Sequence, residues 1–159
     1  MSWSRRALTF GLAAGLAACG FAPVYGPERG GLSLRGAVRT TEPDTAFGFA
    51  FTRQVEERLG LPTATRFDLD WSVAIDDTAL AIDGANNITR FNLEGRLDWT
   101  LAPAGGGAPV LTGQEVAFTA YSATGSTIST LESERDARRR LAVILADKVV
   151  ARLLAEAGT

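Results

Sequence analysis

The chain has few side chains that commonly do covalent chemistry. Among its 159 residues there is one cysteine, Cys19, and no histidine. Histidine is the commonest general base, the usual partner of a catalytic serine and a frequent zinc ligand. The sequence therefore favours a protein that binds or assembles other molecules over an enzyme, and it predicts no metal site and no cofactor.

Carboxylates are the remaining candidates for acid–base catalysis. Asp76 and Asp77 are adjacent, and Asp68 and Asp70 lie two apart on a predicted strand, where such side chains point the same way. The same residues also fit ordinary polar alternation, and no serine in residues 122–129 lies in a nucleophile-elbow motif. A carboxylate-based hydrolase stays an alternative, and a protein without catalysis is the prediction.

Cys19 lies where a lipid anchor would be attached. A cationic start at Arg5-Arg6 and an uncharged apolar stretch over 7–16 have the layout of a secretory signal peptide. The stretch is too short to span a bilayer, which takes about 20 residues. Leu16-Ala17-Ala18-Cys19 resembles the bacterial lipobox, in which the cysteine sulfur receives a diacylglycerol and the new amino end is acylated after cleavage. Residues 1–18 are therefore predicted to be a removed lipoprotein signal peptide.

The mature chain fits one lipid-anchored domain. Without the signal peptide, 14 basic residues face 18 acidic ones and the net charge falls from −2 to −4, which is too acidic for a general nucleic-acid binder. Residues 19–30 are rich in glycine and proline and predict an extended tether, which leaves 31–159 for a single domain. Gly20 stands where an aspartate would favour retention in the inner membrane, so delivery to the outer membrane is expected. Sec export fits better than the twin-arginine route, which stays open.

Two helices are predicted from apolar residues at helical spacing. The first covers about 45–59, with Asp44 as its cap and Gly60 as its stop. The second runs from about 131 to 157, with Ser129 in a capping box. The residues expected on the two buried faces are Phe47, Phe51, Val55 and Leu59 in the first helix, and Ala137, Leu141, Ile144 or Leu145, Val149 and Leu153 in the second.

Four strands are predicted. A loosely alternating segment at 32–38 makes the first. Period-two alternation at 67–75 and 91–101, on either side of the turn residues 83–87, predicts a long antiparallel hairpin with one polar and one apolar face. A less cleanly patterned segment at 110–122 makes the fourth strand.

The predicted element order is β-α-β-β-β-α. This order indicates an α/β (α+β) fold, a two-layer sandwich whose four-stranded, largely antiparallel sheet is covered on one face by two helices. Trp71 and Trp99 are expected to pack in the core, and Gly113 suggests a bulge in the last strand.

These features together resemble a known family. The leader Cys19-Gly20-Phe21-Ala22-Pro23-Val24-Tyr25-Gly26, a domain of this size and order, and the arginine-rich segment 134–142 of the closing helix are similar to the LPS-assembly lipoprotein family, LptE. The resemblance covers essentially the whole mature chain. It implies a non-catalytic protein that plugs the large outer-membrane β-barrel LptD, helps that barrel to assemble and assists lipopolysaccharide delivery to the outer leaflet. It also implies a lipid-anchored location at the outer membrane, facing the periplasm and the barrel lumen.

The polar face of the predicted sheet suits such a plug, because barrel lumens are polar. Arg66, Arg90 and Arg96 on that face are candidate lipopolysaccharide ligands, since guanidinium forks match phosphate groups. The arginines at 138–140 are further candidates, and the alternative for each arginine is a solvated or salt-bridged surface group. A second class of function stays open, that of a lipid-anchored periplasmic binding protein that regulates an envelope enzyme.

Cys19→Ala is expected to leave an unprocessed precursor without lipid, because the sulfur that would receive the diacylglycerol is gone. Intact-mass measurement of the wild-type and variant proteins extracted from membranes checks this. A wild-type protein that is cleaved normally but carries no acyl chain would contradict the lipobox interpretation.

Overall fold

A computed structural model describes residues 31–157, which form a four-stranded sheet and two long helices preceded by one helical turn. The elements in chain order are α1 (Gly31–Leu34), β1 (Val38–Thr40), α2 (Ala46–Leu59), β2 (Phe67–Ile82), β3 (Ile88–Pro103), β4 (Leu111–Ser122) and α3 (Thr127–Glu156). The predicted α+β sandwich is confirmed. The predicted signal peptide, Cys19 and the tether at 19–30 lie outside the described residues.

The sheet is open and mostly antiparallel, with the strand order β1-β2-β3-β4. β1 runs parallel to β2, whereas β2, β3 and β4 are antiparallel neighbours. The β2–β3 hairpin pairs Phe67 with Pro103 at one end and Ile82 with Ile88 at the other. The predicted hairpin is therefore confirmed, and its strands continue beyond the segments in which apolar and polar residues alternate.

The two long helices cover one face of this sheet and bury the apolar residues of both layers. The predicted stripe of α2 is buried throughout, and in α3 Leu145 is buried whereas Ile144 is 38% exposed. The largest fully buried side chains are Phe51, Leu59, Leu69, Leu93, Leu97, Leu101, Leu141, Leu145, Leu153, Val55 and Val149. The core thus lies between the helices and the odd-numbered residues of the central strands.

Two glycines let large side chains lie directly against the sheet. A Cβ atom at Gly95 would stand 2.9 Å from Leu141 Cδ2, so the absent side chain allows α3 to approach β3. A Cβ atom at Gly113 would stand only 2.6 Å from Cζ2 of Trp99. Gly113 pairs in register with Trp99, so the predicted bulge is wrong: the glycine accommodates an indole ring from the neighbouring strand.

The two tryptophans lie on the helix-covered side of paired strands, as predicted. Trp71 and Trp99 are directly opposite each other in the β2–β3 ladder. Trp99 is 2% exposed, and the ring of Trp71 lies 4.8 Å from that of Phe51. Within residues 31–157 neither buried indole N–H has a hydrogen-bond partner, a cost of about 1–3 kcal/mol for each group that ring packing must offset.

The start of the domain differs from the prediction. The expected strand at 32–38 is wrong, because Gly31–Leu34 forms a helical turn and the strand begins only at Val38. Leu34 and Val38 are both buried and lie four residues apart. Burial at that spacing needs no alternating strand, so the loose alternation in the sequence was misleading.

Both helix caps are displaced from their predicted positions. Thr45, not Asp44, caps α2, and its hydroxyl accepts from the Gly48 amide at 3.0 Å. Ser126 caps α3 by accepting from the Ser129 amide at 3.3 Å, so α3 begins earlier than predicted and Ser129 lies in its first turn. In each case two residues at most three positions apart could act as N-caps, and only the path of the chain selects one.

A polar cluster joins the two long helices. Asp147 of α3 accepts hydrogen bonds from Gln54 and Arg58 of α2, each at 2.8 Å. The bond from Arg58 holds the pKa of Asp147 below its ordinary value, and partial burial acts in the opposite direction. The charged carboxylate therefore contributes to holding α2 and α3 side by side.

Gly113→Ala is expected to lower the free energy of unfolding by about 1–3 kcal/mol, because its methyl group would displace the rigid indole of Trp99. Urea denaturation followed by tryptophan fluorescence measures the change. Gly84→Ala is the matched control, since a Cβ atom there meets nothing within 4 Å. Equal stability of the two variants would contradict the tight Gly113–Trp99 contact.

Candidate functional site: the open sheet face

The described residues leave the face of the sheet opposite the helices uncovered, and we call it the open face. Even-numbered residues of β2, β3 and β4 point to it, because side chains alternate along a strand. They are Asp68, Asp70, Ser72, Ala74, Asp76 and Thr78 in β2, Arg90, Asn92, Glu94, Arg96, Asp98 and Thr100 in β3, and Thr112, Gln114, Val116, Phe118, Ala120 and Ser122 in β4. The predicted polar face thus lies on the side away from the core.

Most charged groups of the open face have a partner nearby. The polar contacts are Arg39 to Asp68 at 2.8 Å, Thr41 to Asp70 at 2.7 Å, Arg96 to Glu94 at 3.2 Å and Gln114 to Asp98 at 2.7 Å. The two ion pairs among these contacts, Arg39–Asp68 and Arg96–Glu94, are exposed and contribute about 0–1 kcal/mol each. They therefore shape the charge pattern of the surface more than they stabilise the fold.

The three arginines predicted as anion ligands do not form one cluster. Arg90 and Arg96 lie on the same face of β3, six residues or about 20 Å apart. Arg66 precedes β2 at the opposite end of the sheet, where it donates to the Ser33 carbonyl and lies over the Phe67 ring. Each arginine therefore has its own surroundings.

Arg90 and Arg96 differ in the partners that their guanidinium groups already have. Arg96 pairs with the Glu94 carboxylate and has Ala74 and Val116 as its neighbours in register. In the part of the chain that the structure describes, the Arg90 side chain has no hydrogen-bond or ion-pair partner. The Arg90 guanidinium is consequently available to an anion without breaking an existing contact.

The arginines at the start of α3 are all paired with carboxylates. Arg138 donates to Glu134 at 2.8 Å and to Asp77 at 3.0 Å. Arg139 and Arg140 both pair with Asp136. The salt-bridged alternative therefore describes this segment.

An apolar strip borders the charged part of the open face on β4. Phe118 is 71% exposed and Val116 is 37% exposed, and they lie beside Glu94 and Arg96 respectively. The sequence reasoning missed this strip, because the segment of β4 is less cleanly patterned than the hairpin and no exposed face was predicted for it. A phenylalanine at an even position of β4 was the available signal.

The carboxylates that suggested acid–base chemistry are kept apart by the strand geometry. Asp76 points to the open face, whereas Asp77 points to the helix side and accepts from Arg138. On that side, burial raises the pKa of Tyr121, and the charges of Asp77 and Glu134 add to the increase. The Asp77–Arg138 contact joins the hairpin to α3 and was not predicted.

Two general features of the described chain bear on its chemistry and location. Among residues 31–157 no group of three or more cysteine, aspartate or glutamate side chains is arranged to hold a metal ion. Within the same residues, none of the helices combines the length and the apolar character needed to cross a bilayer.

Several solved structures of bacterial lipoproteins share this fold. A protein described as a lipoprotein from Caulobacter crescentus CB15 superposes with a TM-score of 0.64 at 20% identity, over 79% of this chain and 94% of that one. Rare lipoprotein B from Shewanella oneidensis superposes with a TM-score of 0.55 at 14% identity, over 76% and 92% of the two chains. A minor lipoprotein from Acinetobacter baumannii gives 0.55 at 11% identity, over 76% and 90%. At these identities the likeness establishes the fold alone.

The comparison of sequences establishes the family. No curated protein matches the chain at a significant level. The sequence model of LptE, described as lipopolysaccharide-assembly, matches residues 35–153 and so extends from the segment before β1 almost to the end of α3. The chain therefore belongs to the LptE lipopolysaccharide-assembly family.

Proposed function

We propose that this protein is an outer-membrane lipoprotein that plugs the LptD β-barrel, helps it to assemble and assists the insertion of lipopolysaccharide into the outer leaflet. The observation that carries the proposal is the family match over residues 35–153. The protein acts by binding and not by catalysis, and its described domain works at the periplasmic side of the membrane and in the barrel lumen.

The open face supports the role of a plug. Barrel lumens are polar, so a body placed in one needs a polar surface whose charges do not require desolvation. On the open face Asp68, Asp70 and Asp98 each accept a hydrogen bond from a side chain of the same sheet or the segment beside it. The carboxylates therefore keep these partners when the surface leaves bulk water.

Lipidation at Cys19 supplies the membrane attachment in this proposal. One acyl chain gives only marginal binding to a bilayer, whereas two or more give stable anchoring. The twelve residues of the predicted tether, 19–30, can extend over at most about 40 Å. The domain would therefore stay close to the membrane surface without spanning it.

Lipopolysaccharide binding is assigned to Arg90 and Arg96, with Arg66 as a further candidate. Lipopolysaccharide carries phosphates, which guanidinium groups bind well, and acyl chains, which need an apolar surface. Arg96 lies in register with Val116, next to exposed Phe118, so a cation and apolar side chains occur side by side. Arg66 is less suited, because its guanidinium already donates to the Ser33 carbonyl.

Purification of the native, lipidated protein from outer membranes tests the partner. A large β-barrel protein is expected to co-purify in a stoichiometric amount, because a plug stays inside its barrel. Gel filtration and mass spectrometry of the isolated complex measure this. Recovery of an envelope enzyme in place of the barrel would favour the regulatory alternative and contradict the proposal.

Charge reversal tests the lipopolysaccharide surface. Arg90→Glu or Arg96→Glu is expected to weaken lipopolysaccharide binding by about tenfold or more, since a charge-assisted hydrogen bond is replaced by repulsion. Binding of purified lipopolysaccharide to the detergent-solubilised protein measures the effect. Arg152→Glu on α3 is the matched control, because Arg152 is exposed and pairs with Glu156 away from the open face. Equal weakening by all three changes would refute the assignment.

A further inference from the structure

β4 is a free edge of the sheet, and its outward main-chain groups are placed at regular intervals. Among residues 31–157 only β3 pairs with β4, and the strand order leaves the other side of β4 open within this part of the chain. The Ala123 amide, just after the strand, donates to the Thr89 carbonyl at 2.9 Å. Because hydrogen-bonded pairs alternate in an antiparallel ladder, the odd-numbered residues of β4 bond to β3 and the even-numbered ones direct their N–H and C=O groups outward.

Two cations of α3 occupy part of this edge. Lys148 donates to the Val116 carbonyl at 2.6 Å, and Arg140 donates to the Ala120 carbonyl at 3.1 Å. Arg140 and Lys148 are eight residues apart along the helix, and Val116 and Ala120 are four residues apart along the strand. Each separation corresponds to about 12–13 Å, so the two spacings match. The two cations therefore lie beside alternate outward carbonyls of the edge.

Between these two contacts the edge is open at Phe118. Its N–H and C=O groups point outward like those of Val116 and Ala120, and within the described residues no hydrogen bond is made to either group. Ile144, halfway between Arg140 and Lys148 along α3, is 38% exposed. The even-numbered residues of β4 carry no charge. A strand edge whose own outward residues are uncharged, and whose main-chain groups are unpaired at Phe118, is a template for an added strand.

We propose that the β4 edge binds an extended protein segment that carries carboxylates on either side of an uncharged centre. The central residue of the segment pairs with Phe118. Amides of the segment replace Lys148 and Arg140 as hydrogen-bond donors to the Val116 and Ala120 carbonyls. Lys148 and Arg140 are then released and pair with the carboxylates of the incoming strand. This is the addition of a strand to a sheet edge, with main-chain bonds for affinity and charges for selection.

The same charges disfavour a second copy of this chain as the occupant. Antiparallel pairing of two β4 edges about Phe118 would bring both sets of Arg140 and Lys148 together without adding carboxylates opposite them. Of the carboxylates near this edge, Asp136 already pairs with Arg140, Glu132 pairs with Arg135, and Glu115 lies on the helix side of β4. The local charge therefore selects an acidic partner and opposes self-pairing.

Peptide binding to the full, lipidated chain in detergent tests the proposal independently of lipopolysaccharide. Two test peptides of about six residues, the usual length of a strand, would each alternate valine and threonine. One peptide would carry aspartate at both ends, and the other would carry lysine at both ends. The aspartate peptide is expected to bind and to slow amide exchange at Val116, Phe118 and Ala120, and the lysine peptide to bind about tenfold more weakly. The Arg140→Gln, Lys148→Gln double variant is expected to lose this discrimination.

A proline variant distinguishes binding through the main chain of the β4 edge from binding through the side chains around it. Phe118→Pro removes one outward N–H without removing a bond to β3, because proline is tolerated on edge strands. Phe118→Pro is expected to weaken binding of the aspartate peptide by about tenfold. Phe118→Ala keeps the N–H and is expected to bind this peptide like the wild type, apart from lost ring contacts. Failure of the aspartate peptide to bind, equal binding of both peptides, or protection of the β4 amides by self-association would each overturn the proposal.

Discussion

The close packing of α3 on β3 and β4 determines which surfaces of the sheet are available to other molecules. At Gly95 the strand has no side chain, and Leu141 and Leu145 occupy the space where one would stand. The helix therefore lies directly on the sheet and covers Leu93 and Leu97, which are completely buried. With both helices on this side, the open face and the edges of the sheet, among them the free edge of β4, are left for contact with other molecules in the described domain.

The surface that remains is polar but not uniformly charged. Carboxylates of the open face accept bonds from neighbouring strands and loops, and Arg96 pairs with Glu94 beside the exposed Phe118. The side chains of Arg90 and Asp76, which have no partner among the described residues, and the apolar strip of β4 are the exceptions to this local pairing. These exceptions are the places on the open face where binding of another molecule needs the least rearrangement.

The sequence predicted the regular parts of the fold and failed where several local choices were equivalent. The β2–β3 hairpin was predictable because apolar and polar residues alternate along both strands and turn residues separate them. The cap of α2 was not, because Asp44 and Thr45 have similar capping ability and differ only in chain path. The segment at 32–38 was misassigned because a short, loosely patterned stretch carries too little periodicity to separate a turn from a strand.

Some features of the candidate site were likewise predictable from the sequence, and others depend on the tertiary structure. The sequence alone determined the polar face of the hairpin, the buried stripes of both helices and the absence of histidine chemistry, because these depend only on residue type and spacing. Tertiary structure decided that Asp77 pairs with Arg138, that Lys148 binds the Val116 carbonyl and that the Arg90 side chain has no partner in the described domain. The two observed contacts join residues far apart in the chain, and the register of the strands and the position of α3 on the sheet set their distances. Neither can be read from a periodicity within one segment.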